Sequence, residues 1–176
     1  MTPERRERKD TLPMLTTGRS SARKWLEWID QMEDVNMLLQ IAKALNERED
    51  AILPPADGRA VEMGYSREEL ISHALLKVAK TATDDPVRLL KRFIPYRAYG
   101  AKIHVISEIM NAPLDNKDDR TVTSLLKLGE FLALNQGYFP ERVQADTYLE
   151  IFRKLQELEG IAAVSGEIRG SVERVS

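Results

Sequence analysis

Apolar residues recur at intervals of three and four along most of this chain, which is the spacing of one face of an α-helix. Few segments alternate with a period of two, so the pattern predicts scarcely any β-strand. The glycines and prolines fall mostly between the periodic segments. The chain is therefore expected to be all-α, a compact bundle of five to six helices.

The first predicted helix runs from about Ala22 to about Glu47, and Ser20 or Ser21 offers a cap for its start. Its apolar stripe includes Trp25, Trp28, Met32, Val35, Leu39 and Ala42. A stripe of this length could form a coiled coil, but it is wider than a strict seam, so packing inside a bundle is favoured. The two tryptophans are expected in the core more than on a binding surface.

Capping signals open the next two predicted helices. A capping-box pattern at residues 66–69 begins a helix that reaches about Ala82. Residues 85–86, Asp-Pro, begin a third helix, which should kink at Pro95 and continue to Met110. Beyond the kink, the residues expected to face inward are Tyr99, Ile103, Ile106 and Met110.

The last two predicted helices span residues 122–136 and 140–160. The first of them is apolar around most of its circumference, so we expect it to be the central buried helix, and Gly137 should end it. The second should end at Gly160, because the residues after it show no clear period.

Three segments follow from this pattern. Residues 1–19 are predicted to form a flexible basic arm, residues 20–160 a single helical-bundle domain, and residues 161–176 a loosely ordered C-terminal tail. The arm is short of large apolar residues and is interrupted by proline and glycine, which is typical of a segment without a core of its own.

Composition narrows the classes of function. The chain has 176 residues and no cysteine, which excludes disulfide frameworks, thiolate metal sites and cysteine nucleophiles. It has no run of about 18 apolar residues, so no membrane-spanning helix and no membrane partner are predicted. No apolar run follows the charged N-terminus as in a secretory signal, and we therefore expect a cytoplasmic protein.

The motifs of common enzymes are missing from the sequence. Neither a phosphate-binding glycine loop nor a Gly-x-Ser-x-Gly elbow occurs. The two histidines, His73 and His104, lack the glutamate three residues earlier that a ferritin-like metal site requires. The acidic loop at 115–119 lacks the full EF-hand pattern and is interpreted as a solvated turn. We therefore predict no enzyme, no metal and no cofactor.

Charge is the one uneven feature. The totals, 26 basic and 28 acidic residues, nearly cancel. Residues 1–24 nevertheless hold seven basic and three acidic side chains, residues 25–62 hold three and nine, and residues 88–104 hold five and none. The near-neutral sum therefore consists of separate basic and acidic blocks.

The acid-free block is the candidate nucleic-acid site. Helical spacing places its first three cations on one outer side, while Tyr96 is the aromatic residue that the core needs least and could stack on a base. The predicted binding residues are Arg88, Lys91, Arg92, Tyr96, Arg97, Lys102 and His104, with Arg5 and Arg6 of the basic arm.

These features favour a non-enzymatic helical subunit of a nucleoprotein assembly, which contacts the DNA or RNA backbone without sequence readout. The alternative is a protein–protein adaptor or structural oligomer, whose basic and acidic faces pair with partner subunits. The pI of about 5.8 is below that of a dedicated DNA-binding domain, which keeps this alternative open. A protein partner or a homo-oligomer is expected in either case.

Overall fold

The structure, a computed structural model, describes residues 14–54, 65–83, 85–112 and 120–173. Helices dominate these ranges, so the all-α prediction is confirmed. The helices are α1 (Ala22–Gln31), α2 (Val35–Glu47), α3 (Arg67–Thr81), α4 (Pro86–Arg92), α5 (Tyr99–Met110), α6 (Arg120–Leu134) and α7 (Glu141–Glu173). Two short strands, β1 (Ser20–Ser21) and β2 (Ile52–Leu53), pair in parallel.

The chain divides into two compact units. Unit 1 contains the residues up to Asp84 together with Arg92–His104, and unit 2 contains Asp85–Lys91 together with the residues from Val105 onward. Helices α1, α2 and α3 belong to unit 1, and α6 and α7 belong to unit 2. The prediction of a single domain over residues 20–160 stays a prediction.

The predicted helix from 22 to 47 is two helices, because side chains stabilise a break between them. Asp34 caps α2, since its Oδ1 accepts from the backbone N–H groups of Asn36 at 2.9 Å and Met37 at 3.2 Å. At the end of α1, Lys77 of α3 donates to the carbonyls of Ile29 at 3.0 Å and Asp30 at 2.6 Å. The prediction of a continuous helix was wrong. Lys77, which stabilises the end of α1, lies more than forty residues away in the sequence, so no local pattern indicates the break.

A set of contacts that we call the N-terminal clasp ties residues 14–21 to residues 48–53. The guanidinium of Arg48 donates to the carbonyls of Met14 and Leu15, each at 3.1 Å, and of Gly18 at 2.8 Å. The pairing of β1 with β2 adds main-chain contacts. The predicted arm extended to residue 19, so its last six residues are held in place, whereas Arg5 and Arg6 lie outside the described residues.

The core of unit 1 lies among α1, α2 and α3. Trp25 is 0% exposed, as predicted, and its indole N–H donates to the carbonyl of Ala51 at 2.9 Å. The other large side chains that are fully buried there include Ile29, Leu38, Ile41, Leu45, Leu70 and Leu75. The predicted caps of α1 and α3 are confirmed: Ser21 accepts from Lys24 N–H and Ser66 from Glu69 N–H, each at 3.2 Å.

The predicted kinked helix from 86 to 110 is also two helices, α4 and α5, separated by residues 93–98. Asp85 caps α4 as expected, accepting from Val87 N–H at 3.1 Å. On α5, Ile106 and Met110 are buried as predicted, but Tyr99 and Ile103 are exposed. The buried positions of α5 are Ala101, Lys102, Val105, Ile106, Ile109 and Met110, and Ala98, just before the helix, is buried too. The inner side at the start of α5 is therefore formed by Ala101 and Lys102, and not by Tyr99 and Ile103.

In unit 2, helices α6 and α7 are joined by a tight turn. Gly137 adopts a φ of 91°, the left-handed conformation that ends α6 as predicted. The side chain of Gln144 spans the turn: its amide N–H donates to the Leu132 carbonyl at 2.9 Å, and its oxygen accepts from Phe139 N–H at 3.3 Å. The hydroxyl of Tyr138 donates to the Leu90 carbonyl at 3.0 Å.

Two predictions about unit 2 were wrong. Helix α6 is not fully buried, since Leu126 is 57% and Leu134 is 76% exposed. The last helix does not end at Gly160 but continues to Glu173. A glycine inside a helix costs only about 1 kcal/mol relative to alanine, so it weakens a helix without necessarily ending it.

Candidate functional site

Four of the predicted binding residues are exposed cations: Arg88, Lys91, Arg92 and Arg97. None of them forms a hydrogen bond or an ion pair with any residue that the structure describes. Other basic residues have structural roles, as Arg48 has in the N-terminal clasp. The four cations are therefore available to an anion from outside the described chain.

These cations are distributed over both units. Arg88 and Lys91 lie on α4 in unit 2, whereas Arg92, the last residue of α4, and Arg97 belong to unit 1. Along α4 the three basic residues follow the predicted spacing of three and four, and the apolar residues between them, Leu89 and Leu90, are buried. The outer side of α4 is thus basic and its inner side apolar, as expected.

The remaining described residues of the predicted site are less accessible. Lys102 is only 2% exposed, with its ammonium 5.5 Å from the centroid of the Tyr99 ring, and burial lowers the pKa of Lys102 to about 8. Tyr96 is 8% exposed, and His104 is half-buried. Burial raises the pKa of Tyr96, and the nearby charge of Glu47 adds to this shift. Tyr96 and Lys102 thus belong to the packed interior of unit 1 more than to its surface.

A cavity of about 690 Å³ lies in unit 1 between α2 and the segment 92–96. Its lining combines polar, charged and apolar side chains. The lining residues are Asp34, Asn36, Met37, Leu39, Gln40, Lys43, Arg92 and Tyr96. Two residues of the predicted site, Arg92 and Tyr96, are thus brought to one concave surface.

Most polar side chains of this cavity have no partner among the described residues. The side-chain amides of Asn36 and Gln40 and the cations of Lys43 and Arg92 make no hydrogen bond or ion pair there. Asp34 is the exception, since its carboxylate caps α2. The cavity therefore offers two amides and two cations to a ligand.

Sequence reasoning missed Asn36, Gln40 and Lys43. Their spacing of four and three places them on one face of α2, which is a readable signal. That face was not recognised because the predicted first helix was described by its apolar stripe and by the acidic excess of residues 25–62.

Two smaller cavities continue along unit 1. One of about 400 Å³ shares Tyr96 and includes Arg97, and the next, of about 480 Å³, includes Tyr65 and His73. Both contain the carboxylate residue Glu68, which makes them less suited to an anionic ligand.

His73 has a structural partner. Its Nε2 lies 2.6 Å from Oδ1 of Asp30, one turn of α3 before the lysine that holds the end of α1. His73 therefore forms a contact between α3 and α1. No group of three or more histidine or acidic side chains within the described ranges is placed to hold a metal ion. The acidic loop at 115–119 lies outside those ranges.

Unit 2 contains several large apolar side chains that are exposed. They are Leu126 and Leu134 of α6 and Leu149 and Phe152 of α7, the last of which is 60% exposed. None of the described helices has both the length and the apolar character needed to cross a bilayer.

Comparison with protein-family models, with curated proteins and with solved structures gives no match for this chain.

Proposed function

We propose that this protein is a non-enzymatic helical subunit of a nucleoprotein assembly. Arg88, Lys91, Arg92 and Arg97 hold the phosphates of a DNA or RNA backbone without reading the sequence. The observation that supports this function is the exposure of four cations that have no partner among the described residues, in a block of sequence without an acid.

Charge matching within the chain explains these cations less well. Three acidic residues of the block 25–62 have other contacts: Glu27 lies 3.5 Å from Arg23, Asp30 contacts His73, and Asp34 caps α2. The acidic and basic blocks of the sequence are therefore not neutralised by ion pairs between them in the described part of the chain.

Four phosphate contacts give weak binding on their own. Non-specific binding of nucleic acid has a Kd on the order of 10⁻⁴ to 10⁻⁶ M at physiological salt. Several copies joined in one assembly would bind one strand more tightly, because binding of the first copy raises the local concentration of the strand at the next. This requirement suits a subunit of an assembly.

A charge-reversal experiment tests the proposal. The variant carrying Arg88→Glu, Lys91→Glu, Arg92→Glu and Arg97→Glu should lose binding to labelled oligonucleotides at low salt, as measured by fluorescence anisotropy. A matched control carries Lys24→Glu, Lys80→Glu, Lys127→Glu and Arg142→Glu, four exposed cations elsewhere. The control has the same net charge and should retain binding within about threefold. Equal loss in both variants, or no binding by the wild type, would contradict the proposal.

The exposed apolar residues Leu149 and Phe152 of α7 favour a second candidate function, self-association. On α7, acidic Asp146 and Glu150 flank Leu149, and basic Arg153 follows Phe152. When two copies of α7 pair antiparallel about residues 149–152, Arg153 of one copy lies near the two acids of the other. Light scattering should show a dimer that Phe152→Asp abolishes and that Leu53→Asp, a change at an exposed leucine of unit 1, leaves intact.

A further inference from the structure

We propose that the cavity between α2 and residues 92–96 receives one unstacked base of a single-stranded nucleic acid. This inference rests on the proposed function, because it assumes that the exposed cations bind the backbone of the same strand. It extends that function by naming the form of nucleic acid that the protein selects.

The size and the walls of the cavity suit a nucleobase. Its volume of about 690 Å³ is within the range of small-molecule sites, roughly 300–1,000 Å³. Met37 and Leu39 contribute apolar surface that can contact the flat faces of a base, whereas Tyr96, which is 8% exposed, contributes little. Met37 and Leu39 are half-buried, so part of each side chain remains accessible to a ligand.

The polar groups of the cavity suit the edge of a base. Each amide of Asn36 and Gln40 presents both donors and an acceptor, and base edges combine donors with acceptors in the same way. Neither amide has a partner among the described residues, so a base would displace only water from them. A phosphate, which only accepts hydrogen bonds, would leave the amide oxygens unused.

The two ends of the cavity along α2 carry opposite charges. Asp34 and Lys43 are nine residues apart, which corresponds to about 14 Å along the helix. The carboxylate at the first end repels phosphate, whereas Lys43 attracts it. Arg92 belongs both to the cavity and to the backbone-binding cations, so a strand held by Arg92 brings one nucleotide to the cavity mouth.

This arrangement predicts a preference for single strands. A base in a duplex is paired and stacked, and its extrusion costs a few kcal/mol. A single-stranded base enters at much lower cost. The four backbone cations alone would not produce such a preference, because both forms carry phosphates.

The experiment compares three labelled probes that have equal numbers of phosphates: a single-stranded oligonucleotide, a hairpin duplex and an abasic strand, each as DNA and as RNA. The wild type should bind the base-bearing single strand about tenfold more tightly than the abasic strand or the hairpin. Gln40→Leu should remove about fivefold to tenfold of this affinity and leave abasic binding unchanged. Gln156→Leu, the same exchange at an exposed residue of α7, is the control.

The outcomes separate the two proposals. If the wild type binds all three probes equally and Gln40→Leu has no effect, the base site is disproved and backbone binding stands. If the wild type binds none of the probes at low salt, the proposed function fails and the base site with it. Because Gln40 is exposed, the variant should keep its fold, and a thermal melt superimposable on that of the wild type checks this.

Discussion

The side-chain ammonium of Lys77 donates a hydrogen bond to the main-chain carbonyl of Ile29, over a distance of 3.0 Å between nitrogen and oxygen. A second bond reaches the neighbouring carbonyl of Asp30 at 2.6 Å. The last carbonyls of a helix have no partner within the helix and carry partial negative charge, so a lysine stabilises them. α3 therefore holds the end of α1 at the point where the chain turns into α2.

Replacement of this lysine should destabilise unit 1. Lys77→Met removes two charge-assisted hydrogen bonds, and we expect the free energy of unfolding to fall by about 2 kcal/mol. Urea denaturation followed by tryptophan fluorescence measures this change, since Trp25 and Trp28 lie on α1. Lys80→Met, at an exposed position of α3, should change the stability by less than about 0.5 kcal/mol. Equal effects of the two substitutions would argue against the capping role.

The turn of unit 2 depends on a buried amide. Gln144→Leu removes the bonds to the Leu132 carbonyl and the Phe139 N–H, and leaves both of these groups without their partner. We expect a loss of about 2–3 kcal/mol in the free energy of unfolding, measured by chemical denaturation. Gln136→Leu makes the same exchange at an exposed residue of this turn and should cost much less. A Gln144 variant as stable as this control would show that the bridge contributes little.

Lys102 should make stability depend on pH. Its pKa is lowered by burial from 10.5 to about 8, so the unfolded chain binds more protons than the folded chain between these values. Stability therefore rises as the pH increases through this window. The buried positive charge lowers the free energy of unfolding most below pH 8. Between pH 7.5 and 9.5 the wild type should gain about 1 kcal/mol relative to Lys102→Met, after allowance for solvent screening.

Urea unfolding of both proteins at the two pH values measures this difference. Lys80→Met serves as the reference for substitution of an exposed lysine, and its stability should follow that of the wild type. A wild-type curve that falls relative to Lys102→Met over the same interval would have the opposite sign and would contradict the assignment.

The salt dependence of binding should report how many cations contact phosphates. On single strands the slope of log K against log salt is about −0.7 for each phosphate neutralised, so four contacts give about −3. Arg88→Gln should make the slope shallower by about 0.7, whereas Arg142→Gln should leave it unchanged. Anisotropy titrations at several salt concentrations give these slopes, and a slope near zero for the wild type would rule out backbone binding.

Local signals in the sequence predicted the helices better than their interruptions. Ser21, Ser66 and Asp85 cap helices as expected, because a cap acts within three residues of its own position. The break at 32–34 also depends on Lys77, which no local pattern connects to it. Pro95 was correctly recognised as an interruption, but the six residues without helix around it were not predicted.

The exposure of the candidate residues was predicted in part. Charge and spacing identified the exposed cations Arg88, Lys91, Arg92 and Arg97 correctly as surface residues. The same reasoning expected Tyr96 and Lys102 at the surface, because it classified residues by polarity alone. Both are buried, as are the neighbouring residues Ala98 and Ala101.

The N-terminal clasp has a consequence for the order in which the chain acquires structure. All of its contacts lie between Met14 and Leu53, so it requires no residue beyond position 53. During synthesis the clasp can therefore close before α3 leaves the ribosome. The clasp joins the two ends of the segment 14–53, and α2 with its polar face lies within that segment. The side of the cavity that α2 forms can therefore be in place before the backbone-binding cations emerge.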